Sequence, residues 1–154
     1  MNIFACIKQV PDTTTRIKLR GDGNGIDEAD IQWIISPHDE LAIEEALRLR
    51  EQRPDSTVTV LSAGPERVTD SLRMALAMGA DRGILIETDA ELEPLAVAKL
   101  LKAITEKENP DLVILGKQAI DDDCNQTGQM LAALLGWGQG TFASGLEFGD
   151  AKVT

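Results

Sequence analysis

Short apolar runs alternate with segments of helical periodicity along most of the chain, and this alternation limits the folds that it can adopt. The apolar runs lie at 2–7, 57–61, 84–86 and 112–115, and apolar residues recur at helix spacing between the later ones. Strands that alternate with helices form parallel sheets covered by helices. The sequence therefore predicts an α/β fold with a doubly wound, mostly parallel, Rossmann-like sheet, in one domain over residues 1–154.

A polar stretch, residues 13–35, separates the first strand from the first helix. Its short apolar pieces flank Gly21, Gly23 and Gly25, which predicts a β-hairpin excursion with a glycine turn. These glycines fit neither the GxGxxG nor the GxxxxGK[ST] phosphate-binding pattern. We therefore exclude them as a phosphate site.

The first helix is predicted to begin at Ser36 and Pro37. Serine is a preferred N-cap residue, and proline suits the first helical position. Asp39 falls three residues after the cap. We therefore expect a variant of the capping box, in which an acidic side chain reaches back to the start of the helix.

A fourth helix is predicted from about residue 126 to residue 135. From residue 142 onward the chain is expected to be extended, with a hairpin around Gly149. Three residues of the helix are expected to face inward: Leu131, Leu134 and Leu135.

The charge of the chain narrows its possible partners. The formal net charge is −11 and the sequence pI is about 4.5. Phosphate backbones and anionic membranes repel such a chain, which argues against nucleic-acid binding and membrane roles. A bound nucleotide would have to be held locally by backbone N–H groups, a helix N-terminus or a few cations.

Residues able to do nucleophilic, acid–base or metal chemistry are few and lie apart in the sequence. Cys6 and Cys124 form no CxxC motif and are interpreted as reduced, inert thiols. His38 is the single histidine, so no Ser-His-Asp arrangement can be argued from it. The aspartates at 121–123 lack the spacing of a calcium loop. We predict neither a catalytic residue nor a metal site.

Ligands of a doubly wound sheet bind beyond the carboxyl ends of its strands, where the strand order reverses. Four segments are expected there. They are the end of the first strand with Cys6 and Lys8, the helix start at 36–39, residues 62–64, and the loop from Gly116.

The loop at 116–127, GKQAIDDDCNQT, is the richest of these in hydrogen-bonding groups. Gly116 allows close backbone approach, and Lys117 offers a cation. Residues 125–127 bring side-chain donors to a helix N-terminus whose free N–H groups point outward. The aspartates would then face the ribose, solvent or Lys117. A well-capped helix with a solvated loop is the open alternative.

The loop continues as GKQAIDDDCNQTGQM at 116–130 and is followed by WGQGTFAS at 137–144. These two strings resemble the β-subunit of electron-transfer flavoproteins, and the first gives the stronger resemblance. SAGP at 62–65, ALAMGADRG at 75–83 and ELAIEEALRL at 40–49 also resemble the family. The resemblance spans essentially the whole chain in order.

The resemblance implies a β-subunit that binds a structural AMP and does no bond-making chemistry itself. Its partner would be an α-subunit that carries FAD and passes electrons from flavin dehydrogenases, such as acyl-CoA dehydrogenases, to a quinone reductase. The nucleotide contacts that the motifs imply are Cys6, Ser36, Pro37, His38, Asp39, Ala63, Gly116, Lys117, Gln118, Ala119, Ile120, Asp121, Asp122, Asp123, Cys124, Asn125, Gln126 and Thr127.

The resemblance also implies that the chain is the N-terminal portion of a longer β-subunit. The loop that contacts dehydrogenases in the family would then lie beyond Thr154. Asn is common in the family where Ser36 stands, and Cys occurs where Ala63 stands, so side-chain contacts at these two positions can differ. A bacterial cytoplasm or a mitochondrial matrix would both suit the sequence.

Three other functions are considered. A free-standing adenine-nucleotide-binding module, similar to universal stress proteins, would need a glycine-rich phosphate loop late in the chain, which is not visible. A bifurcating-type β-subunit would hold a second FAD instead of AMP. An ATP-using ligase would need a Ser/Gly-rich loop after the first strand, where this chain has KQVPDTTT.

Overall fold

The computed structural model describes residues 1–147 and 149, and a parallel four-stranded sheet forms its centre. The strand order is β5-β4-β1-β6, and every neighbouring pair is parallel. The doubly wound α/β fold predicted from the sequence is confirmed. Its elements are β1 (Asn2–Cys6), β2 (Gln9–Pro11), β3 (Trp33–Ile35), α1 (Pro37–Gln52), β4 (Thr57–Gly64), α2 (Val68–Met78), β5 (Arg82–Glu87), α3 (Pro94–Glu108), β6 (Leu112–Leu115) and α4 (Thr127–Leu135).

The central strand β1 divides its side chains between two hydrophobic layers. Ile3 and Ala5 pack with α1 and α2 residues on one face, and Phe4 and Cys6 pack with α3 and α4 residues on the other. Successive side chains of a strand point to opposite faces, so a strand buried on both faces must be apolar throughout. This explains the continuous apolar run at the start of the chain.

The stretch between β1 and α1 forms the predicted hairpin excursion. Strands β2 and β3 pair antiparallel at its base, and an isolated bridge joins Leu19 to Ile26 further out. The turn between them contains Gly23 at φ 72° and Gly25 at φ 136°, a region that glycine adopts without steric cost. The prediction of a glycine turn rather than a phosphate loop agrees with this geometry.

The predicted capping box at α1 is wrong. Ser36 occupies the N-cap position, but its side chain makes no capping hydrogen bond. The carboxylate of Asp39 does not reach back to the cap. It accepts hydrogen bonds from the backbone of Lys8 and Gly116 instead, because both strand ends lie beside the first turn of α1.

Two expectations for the carboxyl-terminal part need correction. Leu131 and Leu135 join the hydrophobic layer against α3, but Leu134 is 37% exposed, because the surface covering α4 is narrower than the predicted stripe. Phe142 is not extended: its φ is 55°, and the side chain is 71% exposed. No strand occurs among residues 142–147 and 149. The hairpin predicted around Gly149 lies largely outside the described residues.

Candidate functional site

The strand order reverses between β1 and β6. After β1 the chain builds β4 and β5 on one side, then returns to add β6 on the other side of β1. The pairing of Cys6 with Leu115 brings the carboxyl ends of these two strands together. In doubly wound sheets this position is where ligands bind.

Asp39 joins three of the four predicted segments at this point. Its Oδ2 accepts a hydrogen bond from the backbone N–H of Lys8 at 2.8 Å, and its Oδ1 accepts one from the backbone N–H of Gly116 at 2.9 Å. The residue is only 6% exposed. Burial raises the pKa of its carboxyl group to about 7, although the two N–H donors act in the opposite direction.

Gly116 is required by the protein's own packing. A Cβ at this position would lie 2.3 Å from Oδ1 of Asp39 and 2.7 Å from the carbonyl carbon of His38. The sequence suggested a glycine that lets a ligand approach the backbone. The structure shows that the group approaching it is the first turn of α1.

The fourth segment is tied in through β4. Ser62 is buried, and its hydroxyl donates a hydrogen bond to the carbonyl of Ile7 at 2.8 Å. The neighbouring Ala63 is partly exposed at the same end of the sheet. All four segments therefore meet around the carboxyl ends of the parallel strands.

Lys8 pairs with two aspartates of the loop at 116–126. Its Nζ lies 2.8 Å from a carboxylate oxygen of Asp121 and 2.8 Å from one of Asp122. Burial alone would lower the pKa of the Lys8 ammonium, but the hydrogen bonds and charges of the two carboxylates raise it overall. The aspartates at 121 and 122 thus face Lys8, a partner not considered for them from the sequence.

The rest of the loop is held by its own hydrogen bonds. Asp122 accepts one from the N–H of Cys124 at 2.9 Å, and Asp123 accepts one from Nε2 of Gln118 at 2.5 Å. Asp123 and Asn125 have φ values of 52° and 50°. Asp and Asn tolerate this left-handed conformation better than other non-glycine residues, which explains the residue types at these turns.

Within the described residues, Lys117 forms no ion pair with the aspartates of the loop. Its ammonium group contacts Oε1 of Gln118 and sits 4.7 Å from the centroid of the Phe142 ring. A cation over an aromatic face is attracted by the ring's negative surface. The cation that pairs with Asp121 and Asp122 is therefore Lys8, whereas Lys117 contacts the segment after α4.

Unpartnered polar groups remain around the site. The first N–H groups of a helix have no intrahelical acceptors. At the N-terminus of α4 no side chain caps them either. The Oγ of Ser36 and the Nδ1 of His38 are buried without a hydrogen-bond partner. Buried polar atoms are nearly always satisfied, so the helix N–H groups and the Nδ1 of the partly exposed His38 are available to a ligand or an ordered water. Ser36 is itself fully buried. The helix N–H groups and His38 fit a polar ligand with several acceptor and donor atoms.

An open cleft of about 1620 Å³ lies at the carboxyl ends of the parallel strands. It exceeds the roughly 300–1,000 Å³ of typical ligand sites because it continues along α1 and the segment at 137–146. The predicted residues that line it are Cys6, His38, Asp39, Ala63, Gly116, Lys117, Gln118, Ala119, Asp122, Cys124, Asn125, Gln126 and Thr127. The predicted residues outside the lining are Ser36, Pro37, Ile120, Asp121 and Asp123.

The two thiols differ in environment. Cys6 is buried under α3 and α4, and burial, together with the charge of Asp39, raises its thiol pKa to about 12. Cys124 is exposed. A thiol with such a raised pKa carries almost no thiolate at neutral pH. Within residues 1–147 and 149, no group of three metal-binding side chains occurs, and no helix is long and apolar enough to cross a membrane.

Comparisons with known proteins agree with the family resemblance of the motifs. Residues 23–154 match the electron transfer flavoprotein domain. The chain is 53% identical to "Electron transfer flavoprotein subunit beta" of Bradyrhizobium diazoefficiens, covering 100% of this chain and 63% of that protein. It is 50% identical to the mitochondrial subunit beta of Oryza sativa subsp. japonica, covering 100% and 62%. It is 47% identical to subunit beta of Homo sapiens, covering 99% and 62%. The chain therefore spans less than two thirds of the length of these relatives.

Proposed function

The chain belongs to the electron transfer flavoprotein family, and we propose that it serves as the β-subunit of a heterodimeric electron carrier and holds AMP in the cleft at its strand ends. The AMP is structural and takes no part in electron transfer. The same family membership supports an α-subunit partner that carries the FAD.

One observation carries the nucleotide proposal: four separate segments converge on a cleft that retains unpartnered polar groups. Backbone and side-chain bonds of Asp39, Lys8 and Ser62 fix the segments around the ends of β1, β4 and β6. The uncapped α4 N-terminus supplies N–H groups and the positive end of a helix dipole, which favour a phosphate. This local field offsets a net charge of −11.

The residues have three tasks in this proposal. Asn125, Gln126 and Thr127, at the start of α4, hold the phosphate together with the helix N–H groups. The imidazole of His38, which lines the cleft, has a nitrogen free for the nucleoside. Ser36 is fully buried and does not line the cleft, so it supports the start of α1. The remaining predicted contacts contribute backbone or shape: Cys6, Pro37, Asp39, Ala63, Gly116, Lys117, Gln118, Ala119, Ile120, Asp121, Asp122, Asp123 and Cys124.

We assign no catalytic step to this chain. The flavin of the α-subunit accepts electrons from flavin dehydrogenases, including acyl-CoA dehydrogenases, and delivers them to a quinone reductase. The β-subunit stabilises the heterodimer and contributes to recognition of the donor. This assembly would operate in a bacterial cytoplasm, or in the mitochondrial matrix of a eukaryote, as the name of the rice relative suggests.

The test is to purify the intact protein from its own cells, denature it by heat and identify the released nucleotide by mass. We expect about one AMP per β-chain, with a flavin-carrying subunit co-purifying. One additional FAD per β-chain in place of AMP would support the bifurcating type of β-subunit instead. ATP without any flavoprotein partner would support a free-standing nucleotide-binding module. Absence of any nucleotide would overturn the proposal.

A further inference from the structure

Lys8 links three parts of the site. Its backbone N–H donates to Asp39 at 2.8 Å, and its carbonyl accepts a hydrogen bond from the N–H of Ser36 at 2.9 Å. Its ammonium group reaches Asp121 and Asp122. Lys8 therefore connects the end of β1, the first turn of α1 and the loop before α4.

The loop needs a cation because it carries three successive carboxylates just before a helix N-terminus that is proposed to hold a phosphate. Asp123 is hydrogen-bonded to a neutral amide, Gln118. Within the described part of the chain, the ion pairs of Asp121 and Asp122 are made with Lys8. Without that ammonium, two uncompensated negative charges would remain in the loop that leads into the proposed phosphate site, and like charges repel.

We propose that Lys8 is a positioning residue of the nucleotide site, which holds Asp121 and Asp122 and neutralises them so that the loop and the start of α4 can accept an anion. This inference rests on the proposed function. It assigns to Lys8 an action through the aspartates and not through contact with the nucleotide. Lys117 does not replace it, because its ammonium group lies by Gln118 and Phe142.

The experiment measures the dissociation constant for AMP by calorimetry on the intact protein after the native nucleotide has been removed. Lys8→Met should weaken AMP binding about five- to tenfold, which is within the combined range for the two partly exposed charge pairs that it removes. Lys8→Arg should stay within about twofold of wild type, because arginine keeps the charge. The matched control is Lys18→Met, which breaks the exposed ion pair of Lys18 with Asp30 in the hairpin excursion. It should leave AMP binding unchanged.

The decisive variant adds Asp121→Asn and Asp122→Asn to Lys8→Met. If Lys8 acts by neutralising the carboxylates, removing them should restore AMP affinity to within about threefold of wild type. If affinity stays low, Lys8 contacts the phosphate itself and the positioning role is wrong. Unchanged binding in Lys8→Met, with a melting temperature equal to that of wild type, would also overturn it. A wild-type protein that does not bind AMP would instead overturn the proposed function, and this inference with it.

Discussion

Asp39 shows how one buried side chain organises the site. Its two carboxylate oxygens accept N–H groups from the chain segments that follow β1 and β6, the two strands on either side of the crevice. A carboxylate can satisfy both donors at once, whereas an amide side chain offers only one oxygen. The acidic residue is therefore explained by the geometry of two adjacent strand ends.

The first prediction concerns the pH dependence that Asp39 confers. Because its folded pKa is raised from 3.8 to about 7, the folded protein retains a proton that the unfolded chain has lost at intermediate pH. This contribution to stability is complete below about pH 4 and is lost as the pH rises through about 7. The free energy of unfolding of wild type, relative to that of Asp39→Asn, should therefore fall over this range in urea titrations. Parallel curves for the two proteins would contradict the prediction.

The same substitution should also cost stability above about pH 7, where the folded carboxylate is ionised. In Asp39→Asn an amide N–H₂ must face one of two backbone donors, which leaves a buried N–H group unpaired. We expect a loss of roughly 1–3 kcal/mol. Asp30→Asn is a suitable control, since Asp30 is exposed and pairs only with the exposed Lys18 among the described residues.

The residue types indicate where the site lies, but only the folded structure shows which side chains contact each other. The segments at 36–39 and 116–127 were identified from strand ends and a helix start, which are local patterns. The partner of Asp121 and Asp122 could not be identified in this way, because Lys8 is more than a hundred residues away in sequence. The only available signal was a lone cation after the first strand, and nothing local distinguishes it from Lys117.

At the scale of elements, the approach of α1 to the end of β6 depends on a single missing side chain. A Cβ on Gly116 would lie 2.3–2.8 Å from atoms of His38 and Asp39. Real Cβ atoms do not come so close, so the helix start would have to move. The position of α1, and with it residues 36–39, is set by this glycine.

Gly116→Ala should therefore destabilise the protein, and the matched control is Gly128→Ala. We expect a loss of at least about 1–3 kcal/mol from overpacking at Gly116. A Cβ on Gly128 would meet only Leu115 side-chain atoms at 3.7–3.9 Å, and within a helix alanine is favoured over glycine by roughly 0.5–1 kcal/mol. Thermal unfolding of both variants checks this. Equal stability of the two would show that α1 can shift at little cost.

The elements themselves were largely predictable because their signals are periodic and local. Strand β1, buried on both faces, reads as an unbroken apolar run, and Gly79 ends α2 as predicted. The failures involve tertiary partners. The local pattern predicts a cap for Asp39, but its donors are the N–H groups of Lys8 and Gly116, which are distant in sequence. Leu134 lies on α4 where the covering surface stops.

At the scale of the whole molecule, the proposed nucleotide site lies in a strongly acidic chain. The net charge of −11 opposes a nucleotide from a distance, whereas hydrogen bonds and the helix dipole act at contact. Salt screens the distant charges more than the close ones, since the Debye length is about 10 Å at 0.1 M. A higher ionic strength should therefore weaken the long-range repulsion by the net charge more than it weakens the contacts of the phosphate.

We predict that AMP affinity does not fall when sodium chloride is raised from about 0.03 to 0.3 M, and that it tightens by up to roughly threefold. Calorimetric titrations at several salt concentrations measure this. A steep loss of affinity with salt would mean that a cluster of cations dominates binding, contrary to the view that backbone N–H groups hold the phosphate.

The most direct test of the central claim, that the strand-end cleft of this chain holds an adenine nucleotide, is hydrogen–deuterium exchange of the intact protein with and without AMP. We predict slower exchange on AMP binding in peptides that cover 36–39 and 116–129, and little change in the hairpin excursion at 13–32. Bound AMP with unchanged exchange in both of those segments would contradict the account.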